Sequence, residues 1–104
     1  MVRLSEAEYL ATLVGPMQRV ALDEQPPFDF WPYFDAIPAG DFEGHDCSAG
    51  AVSYAWRDAT GHFEHVLINS EDRNVFMVLV LNLHAGRVLG HRLLDLPRLY
   101  GLSL

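Results

Sequence analysis

The chain contains no lysine, so all seven of its formal positive charges are arginine. That bias leads us to expect a bacterial source with a GC-rich genome. Cysteine is almost as scarce. With Cys47 alone no intramolecular disulfide forms, and nothing points to an oxidising compartment, so a cytoplasmic location is expected. Long apolar runs are missing too. Val75 to Leu81 is the longest, far short of the roughly 20 residues that cross a bilayer. The first residues carry Glu6 and Glu8 where a secretory signal needs an unbroken apolar stretch. Membrane spanning and export are therefore not expected.

The signatures of several chemistries are absent as well. Gly40, Gly44 and Gly50 precede neither a lysine nor a helix start, so no phosphate cradle is indicated. Ser48 and Ser53 lack the turn motif of a nucleophilic serine, and Cys47 has no thiol partner. No Cys or His pair has zinc-finger or metalloprotease spacing, and Asp41, Glu43, His45 and Asp46 do not follow a calcium-loop pattern. No cofactor and no metal are expected.

The composition, half hydrophobic and with 12% aromatic residues, leads us to expect a single globular domain spanning residues 1–104. Its net charge of −7 is one-sided. Nine acids and two arginines lie between Met1 and Asp46, whereas five acids balance five arginines from Cys47 onward. Nucleic acid is a poor partner for such a chain, because binding its backbone needs basic groups that displace counterions.

Val75 to His84, dense in Val and Leu and bounded by Glu71 to Asn74 and by Ala85-Gly86, reads as a strand buried on both faces. Before it, Ser5 and Glu8 have the spacing of a capping box and Leu4 and Tyr9 that of a hydrophobic staple. A helix is expected from there through Met17, broken at Gly15-Pro16, with a second helical piece from Met17 to Leu22. Val52, Tyr54 and Trp56 alternate with small residues, which predicts a strand with one large and one small face. Asp58 to Gly61, Ser70 to Asn74 and Ala85-Gly86 are turns. Together these predict an α+β fold, an N-terminal helix packed on a four-stranded antiparallel meander, with a short C-terminal helical turn at Asp95 to Gly101.

Two groups of residues are candidate sites. Asp23 to Asp46 holds seven acids and no basic residue, interleaved with Phe28, Phe30, Trp31, Tyr33, Phe34 and Phe42. Asp29, Phe30, Trp31, Asp35, Asp41 and Glu43 are its candidate partner-binding residues, since aromatics supply anchors and acids supply steering. The bland reading is a wrapping loop with aromatics in the core and acids in solvent. The second group follows from pairing His62 with Asn82, Glu64 with Val80, and Val80 with His91. That register gathers His62, Glu64, Asn82 and His91 on one sheet face as a candidate pocket.

The function expected is a non-enzymatic acidic binding protein for a basic protein partner, with an immunity or inhibitor protein as a concrete form. A small-molecule binder or small enzyme using the sheet-face pocket is the alternative, and a self-associating structural subunit is a third. A sheet apolar on both faces needs a second cover, supplied by the acidic segment or by a second copy, and a homodimer is expected.

Overall fold

In the computed structural model, the residues described are 2–21, 28–47, 52–96 and 102. The core is a five-stranded antiparallel sheet in sequence order, built from β1 (Met17–Arg19), β2 (Val52–Asp58), β3 (Phe63–Asn69), β4 (Val75–Asn82) and β5 (Arg87–Asp95). Two short helices, α1 (Glu6–Leu10) and α2 (Trp31–Asp35), and a 3₁₀ turn at Ala39–Phe42 complete it. The expected meander is present, with one strand more than the sequence indicated. The C-terminal helical turn expected at Asp95 to Gly101 falls mostly outside the described residues.

The additional strand replaces the helical piece expected from Met17 to Leu22. α1 begins as its sequence dictates, with the Ser5 side chain accepting from the Glu8 amide and the Glu8 carboxylate accepting from the Ser5 amide. It lasts only five residues. Gly15 then adopts a left-handed φ of +64°, open to glycine at no steric cost, and redirects the chain alongside β2. There Met17, Gln18 and Arg19 pair with Asp58, Arg57 and Trp56. Unpaired amides and carbonyls of the β2 edge favour this over a helical turn, because each buried backbone group needs a partner.

At the opposite edge the first residues run parallel to β5. The Leu4 amide donates to the His91 carbonyl at 2.8 Å, and the His91 amide donates to the Val2 carbonyl at 2.9 Å. The chain thus caps the β5 edge, crosses one sheet face through α1, and closes the other edge as β1. That face buries Leu4, Tyr9, Trp56, Leu67, Phe76, Val78, Val80 and Leu94.

The second face carries Val66, Ile68, Met77, Leu79 and Leu81, covered by Phe30, Phe34, Ile37 and Cys47. The acidic segment therefore supplies the second cover from within the chain, and the fold is three-layered. Phe76 to Leu81 are each at most 2% exposed, as a doubly buried strand requires.

The register differs from the expected one by one residue. Phe63, Glu64 and His65 pair with Asn82, Leu81 and Val80, and Leu79 pairs with His91. In β5 a bulge intervenes, since Val80 pairs with Gly90 and Leu81 with Val88, leaving Leu89 as the extra residue. Uninterrupted counting from the turn would have put His91 beneath α1. The bulge turns it to the α2 side.

Candidate functional site

The four residues of the expected sheet-face pocket are not brought together. Asn82 is paired with Phe63 at the end of the α1 face, while Glu64 and His91 point to the α2 face. Both are closed off, at 2% and 1% exposure. Glu64 is held by Arg57, whose Nε and Nη2 donate to Oε1 at 2.9 and 2.6 Å. His62 stacks on His84 near the strand ends, with ring centroids 4.5 Å apart.

His91 joins three elements. Its Nε2 lies 2.7 Å from Asp41 Oδ2, and its Nδ1 lies 2.7 Å from the Tyr33 hydroxyl. An ionised carboxylate only accepts, so Nε2 carries a proton, and in the neutral ring Nδ1 accepts from Tyr33. The Tyr33 oxygen in turn accepts from the Val2 amide at 3.3 Å. On the far side Arg3 reaches Asp41 at 3.9 Å and Glu43 at 3.0 Å. An Asp-His-Tyr chain has the form of a proton relay, but here the hydroxyl is spent on protein partners. Burial pushes the Tyr33 phenol up, the Val2 hydrogen bond works against this, and the Asp41 charge adds to it. Deprotonation is disfavoured, and the group acts as a latch fastening α2 and the 3₁₀ turn to β5 and to the backbone at Val2.

The acidic segment divides by face. Phe30, Phe34 and Ile37 are buried, so Phe30 is not available as a partner anchor. Its hydrophobic ring is used in the core instead. Trp31 is 37% exposed and packs against Phe30 and Phe34. Asp29 and Asp35 are exposed, as are Glu43 and Asp46. Asp29 also accepts from the Trp31 amide at 3.0 Å, which starts α2. Asp41 belongs to the latch. Asp41 and His91 thus belong to different candidate groups in the sequence; at fifty positions apart, no spacing rule joins them.

The later part of the acidic segment, with Cys47, forms an open cleft of about 360 Å³ on this side of the molecule. It is lined by Phe34, Asp35, Ile37, Ala39, Phe42, His45, Asp46 and Cys47. Burial pushes the Cys47 thiol up to about 11, and the charges of Glu71 and Asp46 add to it. The cleft is lined by apolar and aromatic groups together with His45 and the Asp35 and Asp46 carboxylates. Glu71 accepts from the Asp46 amide at 2.6 Å and lies 3.4 Å from His45 Nδ1, which fixes this wall. Among the described residues, no group of three or more His, Cys, Asp or Glu side chains is arranged to hold a metal ion.

A second buried histidine serves the core. His65 Nε2 lies 3.1 Å from both the hydroxyl and the carbonyl of Thr12, while its Nδ1 has no hydrogen-bond partner among the described residues. Burial, opposed by the Thr12 hydrogen bond and the Asp58 charge, pushes it down to about 4.

Comparison with protein-family models, with curated proteins and with solved structures gives no match, so the functional reading rests on the geometry of this chain.

Proposed function

We propose that this chain is a non-enzymatic acidic binding protein that recognises a basic protein partner through the outer side of residues 28–47. The observation that carries this reading is the division of that segment. Phe30, Phe34 and Ile37 are buried on the sheet, while Asp29, Asp35, Glu43 and Asp46 remain at the surface beside the exposed Trp31. Acids presented on an ordered frame steer a cationic surface during encounter, and a half-exposed tryptophan supplies apolar contact area. The charge asymmetry of the sequence acts in the same sense. An inhibitor-like protein that occupies a basic site on its target is the concrete form.

The test is capture of partners from a lysate of the source organism at low salt, using the native chain and an Asp29→Asn, Asp35→Asn, Glu43→Gln variant. These three side chains are exposed, so neutralising them leaves the core intact. A basic protein held by the native chain, released near 1 M salt where screening shortens to about 3 Å, and lost by the variant supports the reading. Equal retention of that protein by the variant refutes it.

A further inference from the structure

The cleft beside α2 has a lining that selects among cations. Its volume of about 360 Å³ lies at the small end of the roughly 300–1,000 Å³ of ligand sites, so it suits one side chain better than a large molecule. Phe34 and Phe42 meet edge to face at 5.8 Å and, with Ile37, supply apolar and aromatic surface. Asp35 and Asp46 supply negative charge at the same cleft, and Asp35 forms no ion pair among the described residues.

We infer that this cleft receives an arginine side chain of the protein partner, its methylene stem on Ile37 and the phenylalanine rings and its guanidinium beside Asp35 and Asp46. The inference rests on the reading of this surface as a docking site for a basic protein and names the group that enters it. Arginine fits better than lysine because a guanidinium is planar, more weakly hydrated and able to stack on aromatic rings, whereas an ammonium holds its water. The Glu71 carboxylate, which accepts from the Asp46 amide at 2.6 Å, adds negative charge behind the same wall. Charge complementarity thus favours a cationic occupant over an apolar one.

The probe is Nα-acetyl-arginine amide, titrated at low ionic strength into the full chain while backbone amide shifts are followed by NMR. Nα-acetyl-lysine amide and Nα-acetyl-norleucine amide serve as comparisons. The expected result is saturable shifts at Ile37, Phe42 and Cys47, with arginine binding about fivefold more tightly than either comparison. Asp35→Asn weakens arginine binding by a similar factor. Glu6→Gln, which removes the same charge from α1 on the other sheet face, leaves it unchanged. Absence of saturable shifts, an equal response to norleucine, or lysine binding as tightly as arginine overturns the inference.

The two proposals fail separately. If arginine does not enter the cleft but neutralising Asp29, Asp35 and Glu43 still releases the basic protein, the cleft assignment falls and the acidic docking surface stands. If neutralisation releases nothing, the docking reading falls, and the arginine assignment to a partner falls with it.

Discussion

Asp41 and His91, fifty positions apart, meet at 2.7 Å where the 3₁₀ turn crosses β5. Because His91 is buried, its hydrogen-bond partners cannot be replaced by water without opening the layer above it. Replacing Asp41 by Ala should therefore cost about 2 kcal/mol in chemical denaturation, and Tyr33→Phe about 1 kcal/mol. Both act through one imidazole, so the double variant should deviate from additivity by at least about 0.5 kcal/mol. Additive losses would mean that the latch is not a connected unit.

His65 should make stability sensitive to acid. Its folded value is depressed to about 4, so the unfolded chain binds the proton more readily than the native one does. The stabilisation is complete above the unfolded value near 6.5 and is lost as pH falls towards 4, by about 3 kcal/mol at most. Denaturation of the native chain and of His65→Gln across this window checks it. The native profile should fall more steeply, and parallel profiles would show that His65 does not titrate on unfolding. Asp58, whose value is held low despite burial by hydrogen bonds from Thr60, His62 and Phe63, loses its contribution only at lower pH.

Gly90 should resist substitution for a reason of space. A Cβ there would come within 2.7 Å of the Leu4 side chain and 2.8 Å of the Val2 carbonyl oxygen. Gly90→Ala must push the Val2 to Leu4 segment off the β5 edge, at a cost of about 1–3 kcal/mol. Hydrogen exchange provides the readout, with the Leu4 and His91 amides losing protection before those of β3 and β4. Unchanged protection at Leu4 would contradict this account.

Arg57 and Glu64 should be worth more as a pair than singly. Arg57→Met leaves the nearly inaccessible Glu64 carboxylate without its cation, and a loss of about 2 kcal/mol is expected because Arg57 itself is partly solvated. Adding Glu64→Leu to that variant should recover most of the loss, since a well-packed apolar pair escapes the desolvation penalty. Thermal or urea melts of the native chain and the two variants decide it. Failure of the second change to recover stability would mean that the carboxylate serves a role beyond pairing with Arg57.

Local features were legible in the chain because their causes are local. The Ser5–Glu8 capping box, the Asp58 to Gly61 turn and the doubly buried β4 each depend on residues within a few positions of one another. Register was not legible. Alternation fixes which side chains of one strand share a face, but it is silent on how two strands slide, and the bulge at Leu89 changes the parity of β5 without an evident signal beyond Gly90. Met17 to Arg19 was misread for a related reason. A three-residue stretch has too weak a preference of its own to outweigh an open strand edge beside it.

The sequence by itself determined a single α+β chain, a β-rich second half and an acidic, aromatic segment between its helix-forming start and its strands. Those are matters of composition and short-range periodicity, which act before any long-range contact forms. Only the tertiary structure decided which aromatics of that segment turn inward, that Asp41 and Tyr33 would close on His91, and that Asp35, Phe42 and Asp46 would border one cleft. These depend on strand register and on the crossing of a sheet by a distant segment, and both are set by packing between residues that no local pattern relates.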